Sequence, residues 1–103
     1  MKYYTIAEMD ITDPSWVRDY VQNVTPMVER YGGRYLARTS NVEIVEGDRR
    51  PQIFLVVEWP SREAVFAFYE SEEYRPYRER RAAGAKNEFW LVPGEDVSKL
   101  AHI

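Results

Sequence analysis

The sequence lacks cysteine altogether and contains a single histidine, and both absences exclude kinds of chemistry. Without cysteine there is no disulfide, thiolate nucleophile, iron–sulfur cluster or cysteine-bound zinc. Nothing resembles a P-loop, a dinucleotide-binding fingerprint or a catalytic triad. The lone His102 lies one residue from the end and is a poor axial ligand for haem. We therefore expect neither a metal nor a cofactor.

Long apolar runs and an excess of positive charge are also missing. No segment approaches the roughly 18 apolar residues that a membrane-spanning helix needs. Acidic residues outnumber basic ones by 17 to 14, for a net charge of −3, whereas a nucleic-acid partner needs a basic surface. The chain enters a strand-like segment without the apolar stretch of a signal peptide. These features predict a cytoplasmic protein that binds neither nucleic acid nor membrane.

Aromatic side chains, by contrast, are abundant. The 103 residues include eight Tyr, four Phe and three Trp, which is more rings than one thin core requires. A dimer interface or an apolar pocket is a natural place for the surplus. The chain length predicts one domain, which we place at residues 1–94, followed by a polar tail at 95–103.

Local signals divide the chain into strands and helices. The strand-like segments are residues 3–10, 34–40, 52–59 and 87–92. The helical segments, which capping residues and glycines delimit, are residues 13–31, 61–69 and 71–83. The first helix begins at Asp13-Pro14, where Asp is the N-cap and Pro the first helical residue. Pro26 lies inside that helix and should kink it.

The resulting order, β-α-β-β-α-β, is that of ferredoxin-like α+β folds, in which helices cover one face of an antiparallel sheet. Odd-numbered strand residues such as Ala7 and Trp59 form the purer apolar set and should face the helices. Even-numbered residues such as Ile6, Phe54 and Trp90 are still too apolar to face water. A second sheet would cover them, so we predict a homodimeric α+β barrel.

Four segments, taken in order, make the chain similar to a known family. They are Gly32-Gly33-Arg34-Tyr35-Leu36-Ala37-Arg38, Glu46-Gly47, Glu58-Trp59-Pro60-Ser61 and Tyr69-Glu70-Ser71-Glu72-Glu73-Tyr74. Together they resemble the domain-of-unknown-function 1330 family (DUF1330) over roughly residues 3–94. The resemblance implies a ferredoxin-like dimeric α+β barrel and no settled reaction. The chain departs from the family pattern at Thr39-Ser40, where glycines are usual.

The first candidate site consists of Glu8, Arg38 and Glu58. The two glutamates lie near the ends of the first and third strands, which we expect to be parallel neighbours. All three residues have even numbers, so their side chains should meet between the paired sheets. Two carboxylates beside a guanidinium can raise one carboxyl pKa and supply a general acid or base. Alternatively, the three form an ion-paired cluster that sets the dimer's register.

Tyr74 is the fourth candidate ligand-binding residue. With Tyr69 and Tyr77 it can line a pocket mouth and donate hydrogen bonds, or the three rings pack along a helix edge. Interleaved glutamates predict that the following basic run is a solvated, salt-bridged helix face. The basic residues of this run are Arg75, Arg78, Arg80 and Arg81. Asp10 and Asp13 are better explained as a strand-end turn residue and a helix cap than as metal ligands.

Three functions remain open from the sequence, which does not decide whether the protein is an enzyme. The leading hypothesis is a homodimer that binds a small organic ligand in a mostly apolar pocket of the barrel between the sheets. The alternative is a cofactor-free isomerase or monooxygenase acting on a small aromatic or quinone-like compound. The third is a purely structural dimer. A polar-lined cavity would favour the first two, and a filled interior the third.

Overall fold

The structure, a computed structural model, describes residues 1–99; His102 lies outside this range. Its strands are β1 (Tyr3–Ile11), β2 (Arg34–Thr39), β3 (Ile53–Trp59) and β4 (Ala85–Pro93). Its α-helices are α1 (Val17–Arg30), α2 (Arg62–Tyr69) and α3 (Arg75–Gly84), and short 3-10 turns occur at Pro14–Trp16 and Val97–Lys99. No helix within residues 1–99 is both long and apolar enough to cross a bilayer.

The four strands form one antiparallel sheet in the order β2-β3-β1-β4, which confirms the ferredoxin-like α+β fold. The prediction that β1 and β3 are parallel is wrong. The helical crossover through α1 returns β2 in the same direction as β1. Since β3 follows β2 without a helix and pairs with it antiparallel, β3 must oppose β1.

The two faces of the sheet differ in burial as the residue parity predicts. Ala7, Val57 and Trp59 are at most 2% exposed and pack beneath α1 and α2 on what we call the helix face. The opposite, open face remains partly accessible, and Trp90 on it is 43% exposed. The open face carries the side chains of Tyr4, Ile6, Glu8, Phe54, Val56, Glu58, Trp90 and Val92.

A β-bulge in β2 reverses this alternation at one place. Tyr35 pairs with Val57 and Ala37 with Val56, so that Leu36 is an extra residue without a partner. A bulge shifts every following side chain to the other face. Arg38 therefore lies on the helix face, and the prediction that it points between two sheets is wrong.

Capping side chains fix the start of two helical segments, as expected. The Asp13 carboxylate accepts a hydrogen bond from the Ser15 amide at 3.0 Å. The Ser61 hydroxyl accepts one from the Ala64 amide at 3.1 Å. Pro26 lies within an α1 that continues to Arg30.

The end of α3 is joined to the start of α1 through Gly84. The Gly84 carbonyl accepts hydrogen bonds from the Trp16 indole at 3.2 Å and from the backbone amides of Thr12 and Asp13. A Cβ atom at residue 84 would collide with the Trp16 ring. Glycine is therefore required here for close packing, and it holds the Trp16 ring in place beside the core.

Candidate ligand-binding site

An apolar cavity of about 150 Å³ lies between the helix face of the sheet and α1. Val24 and Val28 of α1 form one wall, and Leu55 and Val57 of β3 form the other. A dry cavity of this size in another protein binds benzene, so the space matches one aromatic ring. Val21, which is 41% exposed, marks the place where the cavity meets the surface.

A hydrogen-bonded pair of tyrosines lies in the cavity wall. The hydroxyl oxygens of Tyr20, on α1, and Tyr74, just before α3, are 2.6 Å apart. Tyr74 is 1% exposed. Burial, reinforced by the neighbouring Tyr74, raises the pKa of Tyr20 well above its usual value. Tyr20 therefore keeps its proton at neutral pH and can act as a hydrogen-bond donor.

Arg81 lies behind this tyrosine pair and is 3% exposed. Its guanidinium is beside both hydroxyls and stacks on Phe89, with 4.2 Å from its central carbon to the ring centroid. Within residues 1–99 no carboxylate oxygen comes within 4.0 Å of it. Its Nε atom is buried and has no hydrogen-bond partner in this part of the chain. A guanidinium does not lose its proton, so the cavity has a positive charge beside it.

Two of the four predicted site residues, Tyr74 and Arg38, line this cavity. Arg38 reaches it because of the bulge in β2. Its Nη1 atom donates to the Thr25 hydroxyl at 2.7 Å, and the guanidinium stacks on Tyr35 at 4.1 Å from the ring centroid. Arg38 is therefore an exposed cation at the cavity rim, held between β2 and α1.

The other two, Glu8 and Glu58, lie on the open face and far from each other. Glu8 pairs with Phe54, whereas Glu58 pairs with Tyr4. The two positions are therefore four residues apart along the antiparallel ladder, a distance of roughly 13 Å. The hypothesis that Glu8, Arg38 and Glu58 converge is therefore wrong, because β1 and β3 are antiparallel and β2 is bulged.

Each glutamate has its own partners on the open face. Glu8 forms an ion pair with Arg49. Glu58 accepts a hydrogen bond from the Tyr4 hydroxyl at 3.4 Å and lies 3.8 Å from the Arg34 guanidinium. Both carboxylates are partly buried, and each lies beside an exposed arginine. A ligand-binding role for either one stays a prediction.

Asp10 and Asp13 have the structural roles that the sequence predicts. Asp13 caps the first helical turn. The Asp10 carboxylate accepts a hydrogen bond from the backbone amide of Gln52 at 3.0 Å. Within residues 1–99 no three side chains of the metal-ligating kind converge.

Sequence reasoning missed Tyr20 and Arg81 as site residues. Tyr20 is one of several aromatic residues in the first helical segment and has no local signal of its own, and the interleaved glutamates group Arg81 with its three basic neighbours as a solvated helix face. The helical repeat contains the missing signal, because Tyr74 and Arg81 are seven residues, or about two turns, apart. They therefore share one side of the helical segment, whereas Arg80 points away and pairs with Asp19.

The fold is similar to that of several solved structures. RPA0582 from Rhodopseudomonas palustris, a protein of unknown function, has a TM-score of 0.76 and 16% identity, over 92% of this chain and 84% of that one. SnoaB from Streptomyces nogalater, a cofactor-independent oxygenase, has a TM-score of 0.65 and 12% identity, over 92% and 94%. An antibiotic biosynthesis monooxygenase has a TM-score of 0.52 and 19% identity, over 91% and 99%. At these identities the likeness shows the fold alone.

The sequence comparisons identify a family without identifying a reaction. The comparison with functionally curated proteins gave no match. The DUF1330 sequence pattern matches residues 2–95, a range that contains all four segments on which the resemblance was based. The chain belongs to the family described as Domain of unknown function (DUF1330).

Proposed function

We propose that this protein is a homodimer that binds a small, mostly apolar organic molecule in the cavity between the sheet and α1. The observation that supports this most strongly is the cavity itself, an apolar space of about 150 Å³ with a hydrogen-bonded tyrosine pair in its wall. Its volume suits a single aromatic ring. This location differs from the space between two sheets, where the sequence led us to expect the ligand.

The size of the cavity argues against a protein whose interior is merely structural. Protein interiors contain few voids larger than a water molecule. An enclosed empty cavity costs about 24 cal/mol per Å³, and the cavity here, about 150 Å³ and open at Val21, loses part of such an amount through wall contacts that are not made. A chain of this length has little stability to spare. An occupant that fills the cavity would recover that free energy.

The open face of the sheet supports the homodimer. In the single chain Trp90, Val92 and Leu36 are 37–46% exposed, and Phe54 and Val56 beside them are only partly covered. A sheet face this apolar calls for a covering surface, and a second copy supplies a matching one by two-fold symmetry. We expect an obligate interface of roughly 2,000 Å² or more.

A cofactor-free monooxygenase is the second candidate, and the likeness to SnoaB favours it. In such a reaction one atom of O₂ enters the substrate and the other leaves as water, with the electrons coming from the substrate. The cavity is large enough for a small aromatic substrate. Oxygen consumption on adding a bound aromatic compound would separate this enzyme from a binding protein.

Thermal unfolding with phenol, 4-methylphenol and toluene tests the proposed binding site. A ligand at ten times its Kd stabilises the native state by about 1.4 kcal/mol, which raises the Tm of a domain this size by several degrees. Val21→Trp should block the mouth and abolish the rise. Val45→Trp, at a 91% exposed position in the β2–β3 connection, is the matched control and should keep it.

If the cavity is the binding site, the unfolding measurements must give two results. At least one of the three probes must raise the Tm of the unmodified protein. The rise must also depend on the cavity mouth. The absence of any rise, or an equal rise in Val21→Trp and Val45→Trp, would refute the cavity as the binding site.

A further inference from the structure

The hydroxyl protons of the tyrosine pair are not all used within the described chain. Tyr20 and Tyr74 carry two hydroxyl protons, and their mutual hydrogen bond uses one of them. Among the residues that the structure describes, no carbonyl or carboxylate accepts the other. The guanidinium of Arg81 beside the pair contains only donors, so it cannot accept this proton either. The pair therefore has one donor to offer to an acceptor in the cavity.

The buried charge of Arg81 likewise lacks a counter-charge. It is 3% exposed, and within residues 1–99 no carboxylate comes within ion-pairing distance. A buried ion is costly unless an opposite charge and hydrogen bonds accompany it. The residues it touches, Tyr20, Tyr74 and Phe89, all line the cavity. An anion at this end of the cavity would supply the negative charge that Arg81 lacks.

We propose that Tyr20, Tyr74 and Arg81 form an oxyanion site at the end of the cavity, and that it takes a one-ring aromatic compound bound as its phenolate. This inference rests on the proposed function, since it names the ligand class of the same cavity. A phenolate carries its charged oxygen directly on the ring. The ring can therefore fill the apolar space while the oxygen reaches the tyrosine hydroxyl.

The volume and the donor set favour a phenolate over a carboxylate. A carboxylate adds a carbon and a second oxygen, and its two oxygens offer about four acceptor sites. The tyrosine pair has one free hydroxyl proton, which suits a single oxygen. A cavity of about 150 Å³ is filled by one ring with little to spare.

The charged groups around the ligand oxygen all act in the same direction. Arg81 on α3 lies behind the tyrosine pair, and Arg38 on β2 is a second cation, at the rim. Tyr20 from α1 and Tyr35 from β2 keep their protons, because burial raises the pKa of both. The nearby β4 residues contribute the uncharged Phe89 ring. The site therefore favours a negative oxygen.

This arrangement predicts whether the pKa of a phenol rises or falls when it binds. Transfer of a phenol into a purely apolar cavity raises its pKa, because desolvation disfavours the charged form. An adjacent guanidinium lowers it, because the cation stabilises the phenolate. A purely apolar cavity thus predicts that binding raises the pKa of the phenol, whereas a cavity with Arg81 beside the ligand oxygen predicts that binding lowers it.

The test is a pH titration of 4-nitrophenol bound to the full-length protein, followed by the visible absorbance of its phenolate. Its para substituent can extend to the cavity opening at Val21. We expect the pKa of the bound probe to be lower than that of the free probe by about 1, which means that the anion binds about tenfold more tightly than the phenol. In Arg81→Met the bound pKa should rise above the free value. Arg80→Met, which removes the adjacent exposed arginine, should behave like the unmodified protein.

The possible outcomes separate this inference from the proposed function. If phenol, toluene and 4-nitrophenol all fail to bind, the cavity is not a site for aromatic molecules and both proposals fail. If the probe binds to the unmodified protein with an unchanged or raised pKa, the oxyanion site is refuted and the apolar binding site stands. The pKa of the probe bound to the unmodified protein therefore tests the oxyanion site even if Arg81→Met does not fold. Benzoate displacing the probe at lower concentration than phenol would overturn the assignment to phenolates.

Discussion

At the scale of single residues, Tyr74 connects the core to the cavity. Its ring packs against Phe68, with 4.2 Å between ring centroids, and its hydroxyl bonds to Tyr20. The sequence placed Tyr74 among the candidate site residues, but it offered no indication of Tyr20 as its partner. Partners contributed by two distant segments depend on how α1 packs against the start of α3, which local patterns do not determine.

Removing the Tyr74 hydroxyl should destabilise the fold. In Tyr74→Phe the partly buried Tyr20 hydroxyl loses its partner, so we expect a loss of about 1–2 kcal/mol in the free energy of unfolding. Since each single change breaks the same bond, the loss in the double variant with Tyr20→Phe should be smaller than the sum of the two single losses. Urea unfolding measures all three, with Tyr77→Phe as the control. Strictly additive losses would show that the two hydroxyls do not interact.

Tyr20 should also make stability depend on alkaline pH. An unfolded tyrosine ionises near pH 10, whereas burial raises the pKa of Tyr20 well above that in the folded protein. Above about pH 10 the unfolded chain therefore binds fewer protons than the native state, and stability falls as pH rises, by at most about 1.4 kcal/mol per pH unit for one group. Tyr20→Phe should reduce this slope between pH 10 and 11. An identical slope in the variant and the unmodified protein would contradict the assignment.

At the scale of elements, the contact between α3 and the start of α1 depends on the absence of a side chain at Gly84. A Cβ there would overlap the Trp16 ring, which also lines the cavity. Gly84→Ala should therefore cost roughly 1–3 kcal/mol through overpacking, as measured by denaturant unfolding. Ala83→Ser, at the exposed neighbouring position, should change stability by less than about 0.5 kcal/mol. A stable Gly84→Ala protein would show that Trp16 can move away.

The elements themselves were largely predictable, whereas their relative placement was less so. Helix caps at Asp13 and Ser61 depend on neighbouring residues only, and the structure confirms both. The bulge at Leu36 arises from pairing with β3, a long-range contact that the alternation in β2 does not reveal. One inserted residue was enough to move Arg38 to the other face. The arginine that lies deepest, Arg81, was hidden among similar neighbours.

At the scale of the whole molecule, the single chain is more extended than a compact domain. Its radius of gyration is 15.0 Å, compared with about 13 Å for a compact domain of 100 residues. Ile44 and Val45 in the β2–β3 connection are 43% and 91% exposed. Together with the apolar open face, these features suit a protomer whose surface is completed by a second copy.

A charge in the centre of the open face should therefore prevent dimerisation. Val56→Lys lies in the middle of β3, opposite Ile6 on β1, and would bury an unpaired cation in the expected interface. Light scattering coupled to size exclusion should give a dimer of about 24 kDa for the unmodified 12.2 kDa chain and a monomer for the variant. Ala82→Lys, on the exposed side of α3, should remain dimeric. A monomeric unmodified protein at micromolar concentration would refute the dimer.

The most direct test of the cavity as the ligand site is a crystal structure of the full-length protein with 4-bromophenol, in which anomalous scattering locates the bromine. We expect one bromine position per chain between α1 and the helix face, near Val21, with the phenol oxygen toward Tyr20 and Tyr74. Bromine on the open face between two sheets, or no bound bromine at a concentration that saturates the protein in solution, would contradict this expectation.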